Sequence, residues 1–590
     1  MRLTNIAHLR LPFGRLRTYE LTVAPTGRAL PVSFDQRRHV AAGDREGSWM
    51  ALSFRLPSPR PVHEVEAAWR AVLLRHGTLR SVFSPGPDGP ELQAVTIGEG
   101  RWVEHPIGAG QAVNDALREL LDTTCRPCAA PSHRLCLLET ADGQTVVVAA
   151  DHAHVDMWSM LVIARDLLSA LDAVRLGHEP FAGLPGPPPF AEHTAALRAK
   201  EPAPEEVRER WRTTLEESGG VMPRFPMSLG EDDGMHRERV EVRDVLDVDE
   251  SASLGARAAE LGVSTLAVVV AAMTRVTRVL ADEPLRAVFP VHSRYEPTWH
   301  DSVGWFITNS VLHNDDPDPR AAAAAVKDAV RLGSWPLEDV LAPWGGMPEA
   351  PGMFAISWLD LRRLPVRVDA TGLEAQYVGA SILTDGVMLW FVLDETGLHL
   401  RCRYPDTDEA RRHVGRWLDL LVTELRRESQ EAAGGLLTAG GRTFRLARAT
   451  RRDVPALVAL LAGDEVGAGR ESDDLARYEA AYDRIARDPG QLLVSVRDEQ
   501  AAVVATMQLS VIPGLSREGT TRLQVEGVRV DPALRGAGLG TAMLEWAHEH
   551  GRARGATLAQ LTSDARRADA HRFYARLGYV ESHRGLKRPL

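Results

Sequence analysis

Residues 145–160 read TVVVAADHAHVDMWSM, and this stretch determines how the first half of the chain is interpreted. The run from Thr145 to Ala150 is typical of a buried strand, and Ser159 to Leu171 has helical periodicity. His152 and Asp156 therefore fall on a loop between strand and helix, where catalytic groups are often held. A histidine there can act as a base near neutral pH, and the carboxylate can orient it or pair with an arginine. Spacing alone favours a structural histidine over a catalytic one.

Segments on both sides of this loop extend the pattern. Val62 to His76 has apolar residues at helical spacing, and Gly77 stands where a helix C-terminus favours a left-handed residue. Taken in order, five segments resemble the motifs of the condensation domains of nonribosomal peptide synthetases, a family related to chloramphenicol acetyltransferase. The resemblance covers most of residues 1–430. The segments are PVSFDQ (Pro31–Gln36), RHGTLRSVF (Arg75–Phe83), DHAHVDM (Asp151–Met157), FAEH (Phe190–His193) and VGWFITN (Val303–Asn309).

The resemblance implies two chloramphenicol-acetyltransferase-like lobes with a tunnel between them, in which donor and acceptor meet. It aligns His152 with the histidine that positions or deprotonates the acceptor amine or hydroxyl attacking a thioester. It aligns Asp156 with an aspartate that pairs with an arginine of the second lobe, and Arg294 in VHSRY is the matching candidate for this architectural pair. Two positions depart from the motif: Asp151 replaces its first histidine, and Met157 replaces its glycine.

The other participants follow from the same resemblance. The chain shows no LGGxS-type carrier arm and no adenylation domain, so we expect a donor supplied in trans. This donor would be a phosphopantetheine thioester on an acyl or peptidyl carrier protein, or an acyl-CoA, and the acceptor a small-molecule amine or hydroxyl. His154 does not fit the motif spacing, and we interpret it as a wall or structural residue.

A second motif set lies near the C-terminus. Leu523–Val530 (LQVEGVRV) alternates as a strand, and after the short loop DPAL the glycine-rich RGAGLG leads into a helix from Thr541. Glycines at a helix start let a phosphate approach free N–H groups that favour negative charge. A dinucleotide site is disfavoured because too few residues remain for a doubly wound sheet. A P-loop is excluded because no GK[ST] follows.

The segment AHRFYARLGY, Ala570–Tyr579, completes this set. Together the two motifs resemble the GNAT acetyltransferase superfamily over about residues 443–590, which implies acetyl-CoA as acetyl donor. Tyr574 would protonate the leaving sulfur, although a buried aromatic capping the sheet is the alternative. Glu526 would be the general base, directly or through water. The coenzyme would be held by backbone and loop residues Val528, Val530, Arg535, Gly536, Ala537, Gly538, Leu539, Gly540 and Thr541.

Composition narrows the class of protein. The 590 residues are 44% hydrophobic and 25% charged, as in ordinary globular proteins. The net charge of -11 argues against a nucleic-acid or membrane-surface binder. The N-terminal residues contain no signal-peptide core, and the longest apolar run, Leu266–Met273, is too short to span a bilayer. Few cysteines fit a reducing cytoplasm, the expected location.

One further segment contains residues that can act as metal ligands. Cys125, Cys128, His133 and Cys136 lie close together in the sequence. Structural zinc sites usually leave a longer gap between their two ligand pairs. We therefore predict no metal site.

These patterns predict an α/β (α+β) protein: a two-lobed chloramphenicol-acetyltransferase-like condensation fold followed by a GNAT mixed-sheet domain. The expected boundaries are 1–176 for the first lobe, 177–434 for the second, 435–442 for a Gly-rich linker and 443–590 for the acetyltransferase. The predicted function is bifunctional acyl transfer in nonribosomal-peptide-type, antibiotic-like biosynthesis. In the alternative, the front region is a non-catalytic module that binds substrate or carrier protein for an N-acetyltransferase.

Overall fold

The computed structural model describes residues 2–230, 234–431, 435–463, 469–488, 490–583 and 588. The chain divides into two compact units. The first comprises Met1–Val245 and Val269–Leu421, and the second comprises Leu246–Val268 and Val422–Leu590. No helix of the described part is long and apolar enough to cross a membrane.

The strands are numbered along the chain. They are β1 Arg2–Asn5, β2 Arg15–Leu30, β3 Trp49–Arg55, β4 Ser81–Gly86, β5 Gly89–His105, β6 His133–Thr140, β7 Gly143–Asp151, β8 His236–Leu246, β9 Leu285–His292, β10 Ile307–Asn314, β11 Phe354–Asp360, β12 Gln376–Gly379, β13 Leu383–Thr384, β14 Val387–Asp394, β15 Gly397–Pro405, β16 Gly435–Ala439, β17 Arg442–Arg448, β18 Gln491–Arg497, β19 Val503–Ile512, β20 Thr521–Val530 and β21 Ala556–Leu561.

The α-helices are numbered in the same way. They are α1 Phe34–Ala41, α2 Val62–Arg75, α3 Val113–Thr124, α4 Met157–Arg175, α5 Phe190–Arg198, α6 Glu205–Glu217, α7 Val248–Leu261, α8 Thr265–Ala281, α9 Pro319–Leu332, α10 Leu337–Val340, α11 Asp408–Glu431, α12 Val454–Ala462, α13 Leu475–Arg487, α14 Leu539–Ala553 and α15 Ala568–Arg576. Short 3₁₀ turns join some of them, among them Gly77–Arg80, Pro297–Trp299 and Pro532–Leu534.

The first sheet has the strand order β1-β12-β3-β7-β6-β2-β5-β4. Its strand β7 is apolar on both faces because helices cover both. Val146 and Val148 pack into the cluster that contains helices α2 and α4, whereas Val147 and Ala149 pack with α3 on the opposite face. This double burial explains the uninterrupted apolar run that ends at the His152 loop.

The second sheet has the order β10-β9-β11-β14-β15-β8-β13. Its strands come from the second half of the first unit, but β12 from the same region joins the first sheet instead. There β12 runs parallel to β1 and antiparallel to β3. The Tyr377 side chain of β12 is buried, and its hydroxyl donates to the Met157 carbonyl at 2.7 Å. A simple division of the lobes at residue 176 is therefore wrong for this strand.

The third sheet follows chain order from β16 to β21 and is antiparallel except for the parallel pair β20 and β21. The expected linker over 435–442 is wrong, because β16 and β17 form a hairpin across Gly440 and Gly441, both with positive φ. Leu437 and Ala439 are buried in the core of this unit. Residues 432–434 of the Gly-rich stretch lie outside the described residues.

The structure also groups Leu246–Val268, which includes helix α7, with the second unit. The expected second lobe of 177–434 therefore does not coincide with a single compact unit. The Pro- and Gly-rich stretch before α5 contains no helix or strand, as its composition predicts.

Candidate functional sites

The His152 ring is held in one orientation by the loop that follows β7. Its Nδ1 lies 2.8 Å from the Val155 carbonyl oxygen, which can only accept, so Nδ1 carries the proton and Nε2 keeps a free lone pair. Burial, reinforced by the nearby His39, lowers the pKa of His152. The imidazole is therefore neutral at physiological pH, which is the protonation state that a general base requires.

Two residues that the sequence analysis did not single out surround this ring. Trp305 stacks on His152 with ring centroids 4.2 Å apart, and His39 meets Trp305 edge-on at 5.1 Å. Trp305 lies within the VGWFITN segment, and His39 lies one helical turn after Gln36, the last residue of the PVSFDQ segment. Neither contact could be read from sequence, because the two segments meet only in the folded chain.

Asp151, the first departure from the motif, takes part in a buried polar network. Its carboxylate accepts from His39 Nε2 at 3.2 Å, and Arg45 donates to His39 Nδ1 at 2.9 Å. Burial opposes ionisation of Asp151, but the hydrogen bond from His39 holds the pKa of the carboxyl below its usual value. Both His39 nitrogens are occupied, so this network supports the His152 loop and offers no second base.

Asp156 and Arg294 are brought together, with the guanidinium 3.1 Å from one carboxylate oxygen and both side chains almost fully buried. The same carboxylate caps α4 through the Ser159 amide at 2.6 Å and accepts from the Phe306 amide at 3.1 Å. Arg294 also donates to the carbonyls of Trp299 and Ser302 and stacks on the Phe306 ring at 3.9 Å. The pair therefore ties the start of α4 to the segment before β10.

Met157, the second departure from the motif, and the nearby His154 both make contacts that are typical of structural residues. The Met157 side chain packs against the core between α2, α4 and the first sheet. His154 is buried beside Phe83, and its Nε2 lies 3.2 Å from the Ser81 carbonyl. In the VGWFITN segment, position 304 requires glycine, because a Cβ there would lie 2.4 Å from the Phe190 Cβ.

The cysteine group does not form a ligand set. Burial raises the pKa of Cys125 to about 12 and lowers that of His133, which is bonded to the Leu79 carbonyl, to about 3. Within the described residues, no cluster of three or more His, Cys, Asp or Glu side chains could hold a metal ion.

In the second unit, strand β20 is interrupted by a bulge. Its pairing with β19 shifts between Glu526 and Arg529, and Gly527 between them has φ of +59°. The parallel pairing of β20 with β21 covers Thr521 to Val525 only. Beyond that point the backbone of Val528 and Val530 lies outside the β21 ladder.

The glycine-rich loop has the geometry of an anion site. Gly536 and Gly538 have φ of +82° and +88°, and Gly538 is the N-cap of α14. Because Gly538 has no side chain to cap the helix, the N–H groups of Leu539, Gly540 and Thr541 are left for a ligand. The exposed Arg535 donates to the Val530 carbonyl at 3.4 Å.

Tyr574 and Glu526, the two residues with expected catalytic roles, lie in different surroundings. Tyr574 on α15 is partly buried between Phe573 and Tyr579, and burial raises its pKa, so the phenol keeps its proton. Glu526 is exposed at the bulge of β20 and makes no hydrogen bond or ion pair within the described part of the chain. The structure shows no contact between the two among its described residues.

Two profiles of known families match the chain. The family profile described as Condensation domain matches residues 29–329, slightly more than half of the chain. The chain belongs to the condensation-domain family. A second profile, the acetyltransferase (GNAT) family, matches residues 456–579, so the condensation domain is joined to a GNAT domain. The predicted family assignment and fold class are confirmed.

Curated relatives match each domain separately. The condensation domain is 27% identical over 311 residues to the probable non-canonical nonribosomal peptide synthetase CymA of Salinispora arenicola, half of this chain but 4% of that protein. The GNAT domain is 43% identical over 60 residues to the aminoalkylphosphonate N-acetyltransferase of Salmonella typhimurium, 10% of this chain and 39% of that protein. The chain therefore spans well under half of either relative.

Solved structures confirm the fold of the condensation domain. PapA2 acyl transferase matches with a TM-score of 0.66 at 20% identity, over 73% of this chain and 100% of that one. The first condensation domain of the CDA synthetase matches with a TM-score of 0.55 at 16% identity, over 69% and 97% of the two chains.

Proposed function

We propose that the protein is a bifunctional acyltransferase of nonribosomal-peptide-type biosynthesis. In the condensation domain, His152 Nε2 accepts a proton from an amine or hydroxyl as it attacks a thioester carbonyl. The new C–N or C–O bond forms, the C–S bond breaks, and the thiolate leaves with a proton. The observation that supports this most directly is the His152 ring itself, which is neutral, fixed by Val155 and stacked on Trp305.

The donor would be a thioester brought by an acyl or peptidyl carrier protein, or an acyl-CoA. Condensation domains in general act with such carriers, and one curated relative of this domain is a probable nonribosomal peptide synthetase. Asp156 and Arg294 have an architectural role in this proposal, because their partners are the α4 N-terminus and backbone groups before β10.

In the GNAT domain, the bulge and the glycine-rich loop fit acetyl-CoA. The strand edge at Val528 and Val530 would hold pantetheine, and the loop from Arg535 to Thr541 would hold the pyrophosphate. Acetyl-CoA supplies an activated acetyl group. Glu526 would take the proton of the acceptor amine as its nitrogen bonds to the acetyl carbonyl carbon, and Tyr574 would give its phenolic proton to the sulfur as the C–S bond breaks.

A second candidate makes the condensation domain a non-catalytic binding module for the N-acetyltransferase. The observation behind it is Asp151, which takes the place of a motif histidine and is committed to His39. In this case His152 would line a binding site without taking a proton.

The two candidates are separated with the full chain, acyl-pantetheine donors and a panel of amines and alcohols, with products identified by mass spectrometry. We expect His152→Ala to lower condensation by a factor of about 10²–10⁴ while acetylation continues. We expect Tyr574→Phe to lower acetyl transfer while acetyl-CoA affinity is retained. Thermal melting of each variant beside wild type is the folding control. Absence of condensed product from wild type with every donor and acceptor, while acetylation continues, would favour the binding-module candidate.

A further inference from the structure

A cavity of about 150 Å³ adjoins the condensation site. Its wall combines the start of α1, one side of α5, the start of β10 and the segment that leads into α10. Trp305 belongs both to this wall and to the stack on His152. A molecule in the cavity is therefore separated from the catalytic ring by a single side chain.

Two buried hydrogen-bond acceptors in this wall have no partner among the described residues. Asp35 is 6% exposed and His193 is 4% exposed, and in the described part of the chain neither Asp35 Oδ1 nor His193 Nδ1 makes a hydrogen bond. His193 Nε2 lies 3.3 Å from the Ser293 carbonyl, so it carries the ring proton and leaves Nδ1 with a lone pair. Burial lowers the pKa of His193 to about 4, which keeps the ring neutral.

Such acceptors require a donor. A buried polar group without a partner is unfavourable, and a buried carboxylate is more unfavourable still unless a cation accompanies it. Neither orphan atom can satisfy the other, because both accept. The occupant that fits is a group with several N–H donors.

The arginines near Asp35 interact with other groups, so a bound cation could pair with its carboxylate. Arg38, the charge that acts on Asp35, forms an ion pair with Glu349, and the exposed Arg198 donates to the Val32 carbonyl. The Thr308 hydroxyl lowers the pKa of Asp35 but carries no charge. Two further exposed carboxylates, Glu338 and Asp339, line the same cavity, and its aromatic side chains offer faces that attract cations.

We propose that this cavity binds a protonated primary amine of the condensation substrate, with Asp35 and His193 as its hydrogen-bond acceptors. The proposal rests on the condensation activity proposed above and names the substrate class, a molecule with a second amine that does not react with the thioester. N-acetylation would remove the positive charge and two of the three donors. The condensation domain therefore discriminates against a substrate whose second amine is already acetylated.

Activity tests the proposal with matched substrates and the full chain. In one arm the acceptors are cadaverine, N-acetylcadaverine and pentylamine with a hexanoyl-pantetheine donor. In the other arm the donors are aminohexanoyl-pantetheine and hexanoyl-pantetheine with pentylamine. We expect wild type to prefer the substrate with the free second amine by about tenfold or more in kcat/KM in one arm, which identifies the substrate that carries it. The preference should disappear in Asp35→Asn and remain in Asp172→Asn, an exposed carboxylate of α4 that carries the same charge change.

Binding separates this proposal from the proposed function. Isothermal titration with cadaverine, without a thioester, should show tighter binding to wild type than to Asp35→Asn, and weaker binding of N-acetylcadaverine to wild type. If no donor gives product but cadaverine binding depends on Asp35, the condensation activity is wrong and the cation site stands. Equal affinity in wild type and Asp35→Asn, or no binding to wild type, overturns the cation site.

Discussion

The buried carboxylate of Asp35 lowers the folding stability of the protein when no ligand is bound. Burial raises the pKa of its carboxyl to about 6 from an ordinary value near 3.8, against smaller opposing effects of Arg38 and Thr308. A raised pKa means that the folded state binds the proton more tightly than the unfolded chain. The stability that this proton contributes is therefore complete at low pH and is lost as the pH rises through about 6.

This linkage predicts the effect of Asp35→Asn on stability. Above pH 6 the variant should unfold with a free energy about 2–3 kcal/mol greater than wild type, because no charge is buried, and near pH 4 the gain should vanish. Thermal melts at both pH values measure it, with Asp172→Asn as the charge-matched control. Added cadaverine should narrow the difference at high pH, because it stabilises wild type alone. A variant less stable than wild type at high pH would contradict the prediction.

At the scale of secondary-structure elements, the Asp156–Arg294 pair joins the N-terminus of α4 to the segment before β10. Removal of either partner leaves a buried charge uncompensated, so Asp156→Ala and Arg294→Ala should each destabilise the first unit by about 3–5 kcal/mol. The double variant should cost less than the sum, because the orphaned charge is gone. The matched control is the exposed pair Glu206–Arg331, which joins α6 to α9 and whose loss should cost under about 1 kcal/mol. Unchanged melting of both single variants would contradict this role.

The hairpin β16–β17 gives a second test at this scale. We expect residues 435–590 to fold and bind acetyl-CoA, and residues 443–590 to melt at a lower temperature. The shorter fragment lacks Leu437 and Ala439, which the longer one buries, and exposes β17 as a sheet edge. Melting curves and acetyl-CoA titrations of the two fragments measure the difference. Identical melting would show that β16 adds nothing to the stability of the sheet.

The sequence was informative where the signal is local. The run from Thr145 into the His152 loop carries strand, turn and helix within thirty residues, and its elements were predicted correctly. Strand β12 was missed because four residues have little periodicity of their own and pair with β1 and β3 far away in the chain. Gly77 was misinterpreted: it starts a 3₁₀ turn, and a Cβ there would lie 3.0 Å from Pro189, so close packing explains the glycine.

The same distinction between local sequence signals and long-range contacts applies to the candidate functional sites. The resemblance to known motifs was enough to pair Asp156 with Arg294, because each residue sits in a recognisable segment. Asp35 and His193 also sit in recognised segments, yet their lack of partners depends on burial and on groups from other elements. Such a property belongs to the folded chain and has no sequence pattern.

At the scale of the whole molecule, one chain carries two acyl-transfer domains. Most of the Gly-rich stretch that was expected to link them is regular structure, since α11 extends to Glu431 and β16 begins at Gly435. Chemistry suggests that they share a substrate. The condensation domain has a cavity suited to a free amine, and the GNAT domain belongs to a family that acetylates amines.

We therefore expect condensation to precede acetylation on a common molecule. The reason is the charge at Asp35: an amine binds there as an ammonium group, whereas its acetamide is neutral and has fewer donors. With the true substrates, Tyr574→Phe should accumulate a condensed product that lacks the acetyl group, and His152→Ala should accumulate uncondensed precursor. Mixing the two variants should restore the final product, because each supplies the step that the other lacks. Mass spectrometry of the time course distinguishes the intermediates. A precursor that condenses faster after acetylation than before it would reverse the order, and a complete product from Tyr574→Phe at the wild-type rate would show that the GNAT domain acts on another molecule.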